Sequence, residues 1–141
     1  MRSVAQRLLA LLVAVTAPVL SACTMLPQVC VPPAENMVTA ELTFGRKVGD
    51  RVGVSEAEFS TFVAREISPR FPDGLTIVDA RGQWRDAERG VVVHEPSKLV
   101  LLTFRDDIER RASITAITET YKRQFKQQSV LMSLRTSCVA F

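Results

Sequence analysis

Two patterns of apolar residues divide the chain near residue 36. Leu8 to Leu20 is an almost unbroken apolar run, whereas beyond Met37 the apolar positions recur with strand or helix periods. Val38, Ala40, Leu42 and Phe44 alternate with Met37, Thr39, Glu41 and Thr43, which predicts a half-buried strand. Gly45 to Gly53, with Gly49-Asp50 inside it, predicts a loop. Ser55-Glu56-Ala57-Glu58 then forms a capping box, ahead of Phe59, Phe62, Val63 and Ile67 on one helical face. That helix must stop near Ile67, because Pro69 and Pro72 disfavour helical backbone in the residue before them.

Pro72-Asp73-Gly74 turns the chain into a hairpin, with one strand over Leu75 to Trp84, a turn at Asp86 to Gly90, and a return strand over Val91 to Phe104. Pro96 has no amide to give a ladder, so a bulge or a strand edge is expected there. Asp106 or Asp107 caps a second helix running to about Gln127, with Ile108, Ala112, Ile117, Tyr121 and Phe125 at near-helical spacing and Ile114 alongside. Ser129 to Val139 is the last strand, with Val130, Met132 and Leu134 on one face and Leu131, Ser133 and Arg135 on the other. The order β-α-β-β-α-β predicts an α+β fold, a ferredoxin-like two-layer sandwich with a four-stranded antiparallel sheet and two helices on one face. This topology sets the last strand beside the first, so residues just before Met37 lie near the C-terminus.

The N-terminal run carries a different message. Arg2 and Arg7 precede an apolar stretch of about thirteen residues, which suits a signal segment and falls short of the ~20 a membrane-spanning helix needs. Leu20-Ser21-Ala22-Cys23 closes it and resembles the lipobox of bacterial lipoproteins, whose cysteine is acylated and becomes the mature N-terminus. An ordinary secretory signal with a chance cysteine, or an N-terminal core helix, is the plainer alternative. The expected organisation is a lipoprotein signal peptide over 1–22, an extended tether over 23–36 rich in proline (Pro27, Pro32, Pro33), and one α+β domain over 37–141. Lipidation at Cys23 would anchor the chain in a bacterial cell envelope. Thr24, in place of the aspartate of inner-membrane retention signals, leans toward the outer membrane facing the periplasm if the host is Gram-negative.

Charge excludes one class of partner. The chain has 18 Lys and Arg against 15 Asp and Glu, and loss of residues 1–22 removes two of the arginines. The balance becomes nearly even, so no nucleic-acid partner is expected. With Cys23 committed to lipid, Cys30 and Cys138 remain in a compartment that permits disulfides. A bridge between them would close a loop of about a hundred residues, worth up to ~4–5 kcal/mol by chain entropy; two unpaired thiols are the alternative.

Candidate chemistry gathers on the hairpin. Pairing symmetric about the turn sets Arg81 opposite Glu95, Trp84 opposite Val92, and Leu75 and Ile77 opposite Leu101 and Leu99. Gln83, Trp84, Arg85, His94, Glu95 and Lys98 then cluster at its distal half as a candidate ligand site, a polar pocket with an aromatic wall suited to a small anion or carboxylate. The plainer reading is a solvated hairpin end, with Arg81–Glu95 a cross-strand pair worth ~0.2–1 kcal/mol. His94 is the only histidine, so no metal site is expected. No nucleophile elbow, phosphate loop or dinucleotide fingerprint occurs, so no catalytic residue is assigned and no cofactor is expected. Leu99 and Leu101 alternate with Val100, Leu102 and Phe104, leaving the third strand apolar on both faces. A homodimer packed through the outer sheet face, or a ligand cleft there, would cover it.

Glu41-Leu42-Thr43-Phe44-Gly45, Pro69-Arg70-Phe71-Pro72-Asp73-Gly74, Gly82-Gln83-Trp84-Arg85, Glu95-Pro96-Ser97-Lys98, Tyr121-Lys122, Gln127-Gln128-Ser129-Val130 and Cys138-Val139-Ala140-Phe141 together resemble a bacterial family, domain of unknown function 3574. The resemblance covers Met37 to the C-terminus and implies a lipoprotein or secreted protein; it brings no activity. The leading expectation is a non-enzymatic envelope lipoprotein whose domain binds a small molecule or another envelope protein. The second is a cofactor-independent enzyme of the dimeric α+β barrel type, a monooxygenase or isomerase, and a structural tether is the third. A deep pocket holding His94 or Arg81 would favour the enzyme; both exposed on a shallow hairpin would favour the binding module.

Overall fold

A computed structural model describes residues 29–141. Residues 1–28, which hold the expected signal peptide, Cys23 and the first part of the expected tether, lie outside the described residues. Four long strands, β1 (Glu35–Gly45), β4 (Thr76–Arg85), β5 (Val92–Phe104) and β6 (Leu131–Val139), form one sheet in the order β4-β5-β1-β6 with every neighbour antiparallel. Two helices, α1 (Glu56–Phe62) and α2 (Ile108–Phe125), cover one face, which is the ferredoxin-like sandwich. β1 begins at Glu35, inside the stretch expected to be tether.

Alternation along β1 is the source of the core. Val38, Ala40, Leu42 and Phe44 are buried toward the helices, where they meet Val100, Leu102 and Phe104 of β5. Phe44 stands at the centre of an aromatic group, with ring centroids 5.7 Å from Phe59, 6.0 Å from Phe62 and 4.7 Å from Tyr121. The capping box forms as the sequence predicts: the Glu58 amide donates to Ser55 Oγ, and the Ser55 amide to the Glu58 carboxylate. Asp107 caps α2 by accepting from the Arg110 amide.

Several expectations need correction. The loop over 45–53 contains a small hairpin, β2 (Lys47–Val48) with β3 (Arg51–Val52), turned at Gly49 with φ 62°. The first helix ends as α-helix at Phe62 and continues to Ile67 as a π-helical turn, in which the Ser68 amide reaches the Val63 carbonyl. Ile108, at the first position of α2, is 88% exposed and no part of the core, and Ala112 is exposed with it.

Pro96 neither bulges nor interrupts β5; it stands one residue past Ser97, the last β5 residue paired with β1, at the strand edge that the sequence allows for. In an antiparallel strand the N–H and C=O of one residue point to the same neighbour. The Pro96 carbonyl accepts from the Arg46 amide on the β1 side, and the Arg46 carbonyl is turned away to take the Gly53 and Val54 amides. No acceptor is left waiting for the amide that proline lacks.

The hairpin register differs by one residue from symmetric pairing. Gly82, not Arg81, lies opposite Glu95; Arg81 lies opposite Pro96, Trp84 opposite Val93, and Ile77 opposite Val100. The cause is Asp86. Its buried carboxylate accepts from the Glu88 and Arg89 amides, and its backbone amide donates to the Val91 carbonyl. Asp86 therefore belongs to the closing pair rather than the turn, which shortens the loop by one residue and changes every cross-strand partner.

Cys30 and Cys138 are joined in a disulfide with Cα atoms 5.4 Å apart. Cys138 lies opposite Asn36 on the β1–β6 ladder, so the bridge fastens the segment before β1 to the end of the last strand.

Candidate functional site

The β1–β5 pairing ends where Gly45 meets Ser97, and the chain then turns aside at Arg46. Beyond that corner the β4–β5 hairpin extends alone, and the segment after α2 returns across its outer side. Between them lies a cavity of about 170 Å3, lined by Thr43, Gly45, Gly82, Gln83, Trp84, Glu95, Ser97, Gln127, Gln128, Ser129 and Leu131.

Two glycines make the floor. A Cβ on Gly45 would stand 2.6 Å from both carboxylate oxygens of Glu95, and one on Gly82 would stand 2.8 Å from Ser97 Oγ. Only glycine lets these side chains lie so close to the backbone. Glu95 Oε2 accepts from the Lys47 amide at 3.1 Å. From the core side, the Tyr121 hydroxyl donates to the Gly45 carbonyl at 2.8 Å. Burial, with the Glu95 carboxylate nearby, raises the Tyr121 phenol well above its ordinary value, so it remains a donor.

Trp84 forms a wall. Its partner Val93 is two residues from Glu95 along β5, so Trp84 and Glu95 are diagonal neighbours on one face, ~7–8 Å apart at the backbone and within reach of an aromatic side chain. Trp84 Nε1 is buried with no hydrogen-bond partner among the described residues. The opposite wall is fixed by Gln127. Lys126 ends α2 in the left-handed region, φ 53°, and Gln127 Nε2 then donates to the Lys47 carbonyl at 2.7 Å.

The one-residue register difference changes which of the predicted residues share a face, moving Glu95 from the side of Arg81 and Arg85 to that of Trp84. Trp84 and Glu95 share the outer face and the cavity. Arg81, Arg85 and His94 alternate onto the helix side of the ladder, where all three are exposed. Lys98 is buried on that side, its Nζ 2.6 Å from Glu56 and paired with Asp79, 6.0 Å from the centre of the Phe59 ring. The expected anion site is thereby inverted: with the cations on the other face, Glu95 is the only formally charged residue lining the cavity among the described residues.

Lys98 belongs to a chain of charges with structural work. Arg46, also buried, donates through Nε to the Val54 carbonyl and pairs with Glu56. The Asp79 hydrogen bond, then that of Glu56, raises the Lys98 ammonium, and Lys98 in turn lowers both carboxylates. Lowered carboxylates contribute stability that is present above their unfolded values, about 4, and is lost as pH falls through their folded values. The raised lysine contributes until pH climbs past its own folded value, above about 10.4. We expect Lys98→Met to lower the urea midpoint more at pH 7 than at pH 3. An equal loss at the two would show that packing around Lys98, rather than its ion pairs, carries the effect.

Gly45, Gly82, Gln127, Gln128, Ser129 and Leu131 were outside the sequence-predicted site. Glycines beside a lone strand glutamate, and a polar Gln-Gln-Ser run between a helix and an edge strand, are the signals that point to them. Four of the segments carrying the family resemblance, those beginning at Glu41, Gly82, Glu95 and Gln127, meet at this cavity.

A larger hollow, about 650 Å3, opens at the other end of β1 among Glu35, Asp73, Arg105, Asp107, Arg110 and Phe141. Its charges are largely spent on the fold: Arg105 pairs with Glu35 at 2.5 Å, Asp107 caps α2, and Arg110 donates to the Arg70 carbonyl. Among the described residues no group of three His, Cys, Asp or Glu could hold a metal ion, and no helix is long and apolar enough to cross a membrane.

Among solved structures, the fold is similar to a phage SAM lyase in complex with S-methyl-5'-thioadenosine, with TM-score 0.61 and 16% identity over 82% of this chain and 96% of that one. The same phage enzyme in its apo state matches with TM-score 0.55 and 18% identity over 74% and 89%. CutA from Synechococcus elongatus PCC7942 matches with TM-score 0.47 and 11% identity over 73% and 78%. At these identities the lyase likeness is one of fold. No curated protein matches the chain. The family described as protein of unknown function (DUF3574) matches residues 39–141.

Proposed function

The chain belongs to the DUF3574 family of unknown function, and within it we propose a lipid-anchored binding module of the bacterial envelope, whose outer-face cavity receives a small molecule. The observation that carries this reading is the preformed recess at Trp84 and Glu95, held open by Gly45 and Gly82 and closed by Gln127. Its volume of about 170 Å3 lies below the ~300–1,000 Å3 of drug-sized sites, so it suits a small ligand or one group of a larger one. It is small for the thioadenosine compound bound by the phage lyase. His94 and Arg81 stand exposed on the other side of the hairpin, which favours binding over catalysis. Anchoring through Cys23 is supported by Arg2, Arg7, the apolar run and Leu20-Ser21-Ala22-Cys23, and the Cys30–Cys138 bridge suits an oxidising compartment.

Trp84 is the only tryptophan, so its emission reports on the cavity without labelling. We expect a screen of small metabolites against the full chain in detergent to find compounds that shift Trp84 emission and raise the melting temperature. Uniformly flat responses would overturn the small-molecule reading. Cys23→Ala should move the protein from the membrane to the soluble fraction; persistent membrane fractionation would refute the anchor.

A further inference from the structure

Resting on that reading of the cavity, we infer that its ligand is a small organic cation, bound by an ammonium group set against Glu95 beside Trp84. Among the described residues, Glu95 is the only one with a formal charge in the lining. Its carboxylate accepts from one protein donor, the Lys47 amide, and among the described residues it makes no ion pair. The buried cations nearest in sequence are committed elsewhere: Arg46 to Val54 and Glu56, Lys98 to Asp79 and Glu56. A half-buried carboxylate with unused acceptor capacity attracts a positive group that brings its own donors. An aromatic side chain within about 6 Å adds to that attraction through its negative face, even for an ammonium with no N–H. The carboxylate disfavours anions in the same space.

The test compares charge at constant shape. Choline and 3,3-dimethyl-1-butanol differ essentially in the positive nitrogen, and acetate supplies the opposite charge. Each is titrated into the full chain in non-ionic detergent while Trp84 emission is followed. Choline should give a saturable shift, weakened by added salt, and the neutral isostere should bind at least about tenfold more weakly. Glu95→Gln should abolish that difference; Arg85→Ala, on the exposed side, should leave it. Equal affinity for choline and the isostere, or a preference for acetate, would overturn the cation while leaving the cavity as a binding site. No saturable response to choline, methylammonium or tetramethylammonium would likewise overturn it, and the broader screen then decides the fate of the cavity separately. Because the charge preference is measured on the unaltered chain, a poorly folding Glu95→Gln variant does not blunt the result.

Discussion

Reducing the Cys30–Cys138 disulfide should lower the unfolding free energy by about 4 kcal/mol and the melting temperature by at least about 10 °C. The two cysteines are 108 residues apart in sequence, so the bridge constrains nearly the whole described chain when unfolded. Chain entropy for a loop of that length gives about 4.7 kcal/mol, and measured bridges commonly give somewhat less. The folded state gives a second reason to expect a large effect. Among the described residues β6 is an edge strand that pairs with β1 alone, and all of its residues are at least partly exposed. Without the bridge, the far end of that ladder is held by backbone hydrogen bonds and contacts such as Thr39 Oγ1 to Ser137 Oγ. Urea denaturation with and without reductant, alongside the Cys30→Ser/Cys138→Ser pair, measures this. Coincident midpoints would mean that the bridge contributes nothing to stability.

Phe44→Ala should be comparably severe, about 3–5 kcal/mol. Phe44 is fully buried, and its ring meets Phe59, Phe62 and Tyr121 edge-on. Truncation removes the transfer term and leaves a void that three large rings cannot fill without leaving their rotamers. The loss should also reach the cavity, because the next residue is Gly45, held between the Tyr121 hydroxyl and the Glu95 carboxylate. We therefore expect a changed Trp84 emission in the folded variant as well as a lower urea midpoint. Phe44→Leu, which keeps most of the volume, should cost a fraction as much. Similar midpoints for the two variants would show that the site repacks freely and that the aromatic group is not the keystone proposed.

These effects rest on parts of the molecule that differ in how openly the sequence declares them. β1, the capping box at Ser55 and, as one of two candidates, the Asp107 cap were legible because their causes are local: a period of two, or a side chain three residues from the amide it accepts from. The β-α-β-β-α-β order gave the sheet and brought Cys30 to Cys138. The hairpin register was not legible, since it depends on Asp86 turning its carboxylate inward, and a strand end and a turn residue have the same composition. That single residue decides which of Arg81 and Gly82 faces Glu95, and so the sign of charge in the site. Ile108 has the helical spacing of a core residue, yet lies in the first turn, where nothing packs against it. The wall at Gln127 depends on a hydrogen bond to Lys47, 80 residues away, which no local pattern announces.

If Cys23 carries lipid, the disulfide also sets an orientation. Seven residue steps separate Cys23 from Cys30, so with acyl chains at Cys23 the bridge can stand no more than about 25 Å from the lipid headgroups. From Glu35, beside the bridge, β1 runs ten residues to Gly45, a rise of roughly 33 Å. A short leash clamped at one end of a rigid sheet would leave the recess at Glu95 on the far pole, open to solutes rather than to lipid. A molecule anchored in that way would sample the water beyond the bilayer like a cup on a stalk, its mouth lifted by the length of one strand.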